Sequence, residues 1–230
     1  MQVLEIYQSK QGEGLWTGKT SVFIRLVGCP LRCRFCDTVY ARNDDDEELG
    51  ADLSSDEIVG RVMLLDMHHV VITGGEPMLS DEVVELTRAL KEFDYQITIE
   101  TSGICFQPVL CDLMSVSPKL NNSIPVGAAP AIIEQHNANR SNYDVVQKLI
   151  LRYNYQLKFV IDTPENLLEL EEYLLHFHGI VPERVLLMPQ AVDAASMAKK
   201  GEWIQTHCEI KGYRFCPRMQ LVWYGNKRGT

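Results

Sequence analysis

Short apolar runs recur along this chain, and a stretch with helical signals follows most of them. That alternation restricts the fold more than any other feature. The runs are Ser21–Val27, His69–Thr73, Gln96–Thr101, Cys111–Val116, Leu157–Ile161, Arg184–Met188 and Met219–Tyr224. Ser54-Ser-Asp-Glu57 reads as a capping box, in which side chain and backbone satisfy each other, opening a helix to about Asp66. Ser80 introduces a second helix over 81–93, and Tyr143–Arg152 supplies a third. Thr163-Pro164 starts a fourth, with Pro at the first helical position, running to about Phe177. Asp193–Ile210 is a fifth, stopped by Gly212. Residues 120–143 lack a period and read as irregular, with room for a short helix. Strands alternating with helices make an α/β chain with a mainly parallel sheet, because parallel neighbours need crossovers. About seven strands and five helices fall short of the eight and eight of a closed barrel. The expected architecture is a partial, incomplete TIM-like barrel forming one domain over 1–230, since no linker or repeat divides the chain.

In parallel sheets the chemistry gathers at the strand C-terminal ends. Here those ends are Gly28-Cys29, Gly74-Gly75-Glu76, Ser102-Gly103, Ser117-Pro118-Lys119 and Pro189-Gln190. Small or polar residues at one common end suit a ligand laid across it. The first end runs into Cys29-Pro-Leu-Arg-Cys33-Arg-Phe-Cys36, a CxxxCxxC spacing. Thiolates this close on a short loop can converge on one metal centre. A [4Fe–4S] cluster usually takes four cysteines. This run supplies three, which leaves one iron open to a small molecule. A zinc site would pair CxxC with a second such pair or with histidines. Cys105, Cys111, Cys208 and Cys216 form no such pair and read as structural thiols. His68, His69, His176 and His178 read as surface or core histidines.

Composition narrows the function classes. The net charge of −9 argues against non-specific nucleic-acid binding. Lys199, Lys200, Lys211, Arg214, Arg218, Lys227 and Arg228 gather toward the C-terminus and read as solvated surface. No apolar run approaches the roughly 20 residues of a membrane span. No signal peptide is visible after Met1, and an odd count of seven cysteines suits thiolate ligands in a reducing compartment, so a cytoplasmic location is expected. The acidic run Asn43–Glu48 reads as a solvated loop. Gln11-Gly12-Glu13-Gly14 reads as a tight turn approaching something closely, and Arg25 interrupts an apolar strand, where it reaches either solvent or an anion in a pocket.

The CxxxCxxC spacing is the signature of radical S-adenosylmethionine (SAM) enzymes. QGEG (11–14), FIRLVGCPLRCRFCDT (23–38), VVITGGEP (70–77), IETSG (99–103) and SVSPKL (115–120) narrow the resemblance to the 7-carboxy-7-deazaguanine synthases, over nearly the whole chain. The resemblance implies a radical SAM core with Cys29, Cys33 and Cys36 ligating a [4Fe–4S] cluster. It implies S-adenosylmethionine held by Gly74, Gly75 and Glu76 at the methionine end, and by Phe35, Cys36, Asp37, Ser102, Ser117, Pro118 and Lys119 elsewhere. It implies Mg²⁺ on Thr38, and a carboxylated pterin on Lys10, Gln11, Gly12, Glu13, Arg25 and Thr73. Arg25 would offer its planar fork to a carboxylate. A homodimer and a flavodoxin- or ferredoxin-type electron donor are also implied. The C-terminus departs from the pattern. Val222 stands about where several members carry a histidine, so only Gln220 is a candidate there. Two alternatives stay open: a glycyl-radical activating enzyme, and an iron–sulfur or zinc protein without radical turnover.

Overall fold

The computed structural model describes residues 1–42, 50–225 and 227–229. The acidic run Asn43–Glu48 lies outside the described residues. One nine-stranded sheet runs in the order β3-β1-β2-β4-β5-β6-β7-β8-β9. Its strands are β1 (Gln2–Lys10), β2 (Thr20–Leu26), β3 (Ala51–Asp52), β4 (His69–Gly74), β5 (Gln96–Thr101), β6 (Leu113–Val116), β7 (Tyr155–Ile161), β8 (Val185–Pro189) and β9 (Arg214–Phe215). β1 pairs antiparallel with β2 and β3, and every pairing from β2 onward is parallel. Both margins are two-residue strands, and among the described residues no pairing joins them, so the barrel stays open, as the strand count implies.

The helices are α1 (Ser55–Met63), α2 (Glu82–Glu92), α3 (Pro130–Asn139), α4 (Tyr143–Arg152), α5 (Glu165–Leu174), α6 (Ala194–Lys211) and α7 (Met219–Trp223). The capping box of α1 forms: Ser54 Oγ accepts from Glu57 N, and the Glu57 carboxylate accepts from Ser54 N. α5 ends at Leu174, short of the expected Phe177.

Strand alternation sorts the sheet into two faces. On β7, Tyr155, Leu157, Phe159 and Ile161 join the main core under the helices, while Gln156, Lys158 and Val160 face the concave side. The same period puts Ile24, Ile72, Ile99 and Leu187 of the other strands in that core. Fully buried side chains such as Phe159 and Ile72 each contribute about 1.5–3 kcal/mol, so this layer holds the concave face in shape.

Three expectations change. β1 was not visible in the sequence, because its burial follows no two-residue period. The irregular stretch 120–143 contains a full helix, α3. The apolar run Met219–Tyr224 is helical, not a strand. So short a run fits either state, and here Met219 N donates to Gly12 O at 2.9 Å, drawing the segment across the sheet's open end.

Candidate active site

The strand ends surround a cavity of about 520 Å³. Arg25 of β2, Thr73 of β4, Glu100 of β5, Lys158 of β7 and Met188 of β8 line it, each one residue from a core side chain on its own strand.

Cys29, Cys33 and Cys36 line the same cavity. Their loop is tied down by its neighbours. Arg32 Nη1 donates to Cys29 O at 2.7 Å and Arg42 Nη2 to Cys33 O at 2.7 Å. Burial pushes the Cys29 thiol up to about 11, and it raises Cys33 against the opposing pull of Lys119 and Arg42. Iron would displace those protons on binding. Three soft donors on one wall, with cations beside Cys33, fit an anionic iron–sulfur cluster.

Gly74 and Gly75 line the cavity, but the lack of a side chain at Gly75 has a backbone cause. A Cβ there would lie 1.9 Å from Gly28 O, where the cysteine loop begins. Glu76 is buried and turned into the wall. Its carboxylate accepts from Thr101 Oγ1 at 2.7 Å, Ser102 N at 2.7 Å, Met78 N at 3.1 Å and the Ser102 hydroxyl. It ties the end of β4 to the end of β5. Ser102, Ser117 and Lys119 line the cavity, with Lys119 Nζ 2.8 Å from Ser117 O. Pro118 lies between the latter two without lining it. Phe35 lines the cavity and packs against a small apolar cluster of Val160, Leu186, Met188 and Cys216. Thr38 heads a short turn, Val39–Ala41, without capping it, and its Oγ1 sits 3.7 Å from Cys36 Sγ.

Lys10, Gln11, Gly12, Glu13, Arg25 and Thr73 also reach the cavity, but most are already engaged. Arg25 is buried and donates through Nε to Glu5 Oε1 at 2.6 Å and through Nη2 to Tyr7 OH at 2.7 Å. It therefore faces the pocket rather than solvent, with its internal counter-ion beside it. Glu13 accepts from Lys158 Nζ at 2.6 Å, Gln220 Nε2 at 2.7 Å and Arg218 Nε at 3.2 Å. Burial works to raise its pKa, yet Lys158 and Arg218 hold it well below the carboxylate range. Lys158 also meets Glu100 Oε2 at 3.1 Å, and these two carboxylates outweigh burial and keep it charged. Arg218 extends the network to Asp37, so the cysteine loop and the QGEG turn share one guanidinium. Gly12 permits this closure, since a Cβ there would lie 2.1 Å from Gln220 Oε1.

Lys158, Glu100 and Arg218 were missed in the sequence. A signal existed for two of them: Lys158 and Glu100 interrupt apolar strands as Arg25 does. Arg218 lay within a basic group read as surface. That reading suits Lys211, which is exposed and paired with Glu171 at 3.0 Å, but not the half-buried Lys200, held by Asp162 and Gln190, nor Arg218, Lys227 and Arg228, which line the cavity. His69 is a core histidine, held between Ser21 Oγ and Thr98 Oγ1.

Residues 23–128 match the Radical SAM superfamily. The crystal structure of QueE from Escherichia coli shares the fold, with a TM-score of 0.71 and 24% identity over 95% of this chain and 93% of that one. Fold, cysteine loop and cavity together define a radical SAM enzyme. The chain is 36% identical to the 7-carboxy-7-deazaguanine synthase of Rhodopirellula baltica over 99% of its own length and 88% of the relative's. It is 34% identical to that of Halobacterium salinarum over 100% and 93%. The chain belongs to the 7-carboxy-7-deazaguanine synthase family, radical SAM lyases of deazapurine biosynthesis.

Proposed function

We propose that this chain, as one domain over 1–230, contracts the ring of 6-carboxy-5,6,7,8-tetrahydropterin to 7-carboxy-7-deazaguanine with release of ammonia, for queuosine or related 7-deazapurines. The observation that carries this reading is one cavity shared by the cysteine triad, the Gly74–Gly75 end and a buried wall of opposed charges. A pterin carboxylate needs a cation, and its guanidine-like edge needs carboxylates. Arg25, Glu13, Lys158 and Glu100 present both within one face.

Cys29, Cys33 and Cys36 would hold the cluster, which with S-adenosylmethionine would supply radical chemistry for hydrogen abstraction. The protein's part is placement and exclusion of water. Gly74, Gly75 and Glu76 would receive the methionine end, where Glu76 already fixes the strand ends. Phe35, Cys36, Asp37, Ser102, Ser117, Pro118 and Lys119 would surround the remainder. Lys10, Gln11, Gly12, Glu13, Arg25 and Thr73 would hold the pterin, with Lys158 keeping Glu13 ionised as an acceptor. Thr38 would offer a hard oxygen to Mg²⁺. The family resemblance supports a homodimer, a flavodoxin- or ferredoxin-type electron donor and a cytoplasmic setting. Among the described residues no helix is long and apolar enough to cross a membrane.

The test is anaerobic turnover of reconstituted, reduced protein with S-adenosylmethionine, Mg²⁺ and carboxytetrahydropterin, read by mass spectrometry. Carboxydeazaguanine with ammonia is the expected result. Release of 5′-deoxyadenosine with the pterin untouched would reject the substrate and keep the radical chemistry.

A further inference from the structure

Helix α3 docks in a way its composition does not explain. Surface helices usually dock through an apolar stripe. Of the ten residues of α3, only His136 is buried, at 0% exposure. Ile132 is exposed and Ile133 only half-buried. Just beyond the helix, Arg140 fastens it through Lys119 O at 2.8 Å and Asn121 Oδ1 at 2.5 Å. What α3 delivers inward is therefore one imidazole, and that ring points at the cysteine loop.

The polarity of its contacts is determined. Arg32 N–H donates to His136 Nδ1 at 3.1 Å, so Nδ1 carries the lone pair and Nε2 the proton. Nε2 lies 3.0 Å from Ser123 Oγ, which itself donates to Leu120 O at 2.6 Å. Each proton in this relay has one acceptor. Ser123 O in turn accepts from Arg34 N at 3.0 Å. The amides on both sides of Cys33 thus end on the segment from 123 to 136. Burial, with Arg140, Lys119 and Arg42 nearby, brings the imidazole down to about 4 and keeps it neutral.

We propose that His136 is a positioning residue of the cluster loop: by accepting the Arg32 amide through Nδ1, it fixes the backbone that aims Cys33 and so slows loss of iron. The residue does not line the cavity and acts through the loop. The inference rests on the cysteine loop holding a cluster and is independent of which substrate is turned over. Failure of the pterin reading would leave it intact.

The test compares His136→Asn, His136→Gln, His136→Phe and Ser123→Ala in anaerobically reconstituted protein. Iron and sulfide per chain, the rate of iron transfer to a chelator and the thermal midpoint of the iron-free form are measured. Asparagine places an oxygen where Nδ1 stands, whereas glutamine places one where Nε2 stands. The Asn variant should retain iron nearly as the parent does. The Gln and Phe variants should release it about 10–100-fold faster, the usual effect of removing an outer partner of a metal ligand. Ser123→Ala should fall between. A merely structural histidine would lower the iron-free midpoint of Asn and Gln variants alike without separating their iron release. Equal release from Asn and Gln variants, or parental release from both, overturns the proposal. If the Phe variant does not fold, the Asn and Gln pair still decides.

Discussion

Replacing Lys158 with Met removes the cation that lies between Glu13 and Glu100 while keeping a similar length of apolar stem. The Lys158 side chain is 6% exposed, and its two partners are 14% and 16% exposed. Removing one partner of a buried pair typically costs about 3–5 kcal/mol, because the other charge stays behind uncompensated. Here the carboxylates keep other donors. Glu13 retains Arg218 at 3.2 Å and Gln220 at 2.7 Å, and Glu100 retains Gln11 at 3.2 Å and Ser115 at 2.9 Å. That places the cost at the lower end, about 3 kcal/mol. At about 2–4 °C per kcal/mol for a chain of this size, the thermal midpoint should fall by roughly 6–12 °C. The assay is calorimetry of iron-free protein at pH 7, with Glu100→Gln and the double variant completing a cycle. The double variant should recover part of the loss, with a coupling above about 1 kcal/mol. A Lys158→Met cost below about 1 kcal/mol, or strict additivity, would refute the claim that this wall is a buried, mutually dependent charge network.

Other outcomes follow from the same structure. Gly75→Ala should leave little folded protein, since its Cβ would meet Gly28 backbone at 1.9 Å, whereas Gly60→Ala in α1, with open space around it, should be neutral or stabilising; equal midpoints for the two would contradict the close approach. Arg25→Ala should raise the pterin KM by about 10–100-fold, the range of a charge-assisted hydrogen bond, while sparing S-adenosylmethionine cleavage; an unchanged KM takes Arg25 out of the site. Burial brings His69 from the ordinary 6.5 down to about 4, so the unfolded chain binds its proton first. Stability should be full above 6.5 and be lost as pH falls toward 4, seen as a dropping urea midpoint that His69→Gln partly removes; a flat midpoint across that window would refute it. Cys33→Ala should abolish cluster assembly, and full iron loading in that variant would sink its assignment as a ligand.

Part of this site was legible residue by residue. The CxxxCxxC loop, the Gly74-Gly75-Glu76 turn and the Ser54 capping box are patterns of neighbours, so their local geometry is written in a few consecutive positions. The apolar strands could be located the same way, and β5 and α4 fall where the pattern puts them. The state of Glu13 could not. It depends on Lys158, 145 residues away, and on Arg218, 205 residues away. His136 was invisible for the same reason, because the amide it accepts belongs to a loop 104 residues earlier.

By itself the sequence determined the class of chemistry: three thiols on one loop, at the end of one strand of a parallel sheet. Thiol spacing and strand period are local quantities, and no later packing could change them. Only the tertiary structure decided how that loop is held and what charge faces it. Sheet register brought Arg25 beside Thr73 and put Lys158 on the concave face with Glu100. It also set the apolar run from 219 as a helix whose Gln220 lies against Gly12. These outcomes depend on which distant backbones lie within a hydrogen bond of each other, which folding of the whole sheet settles.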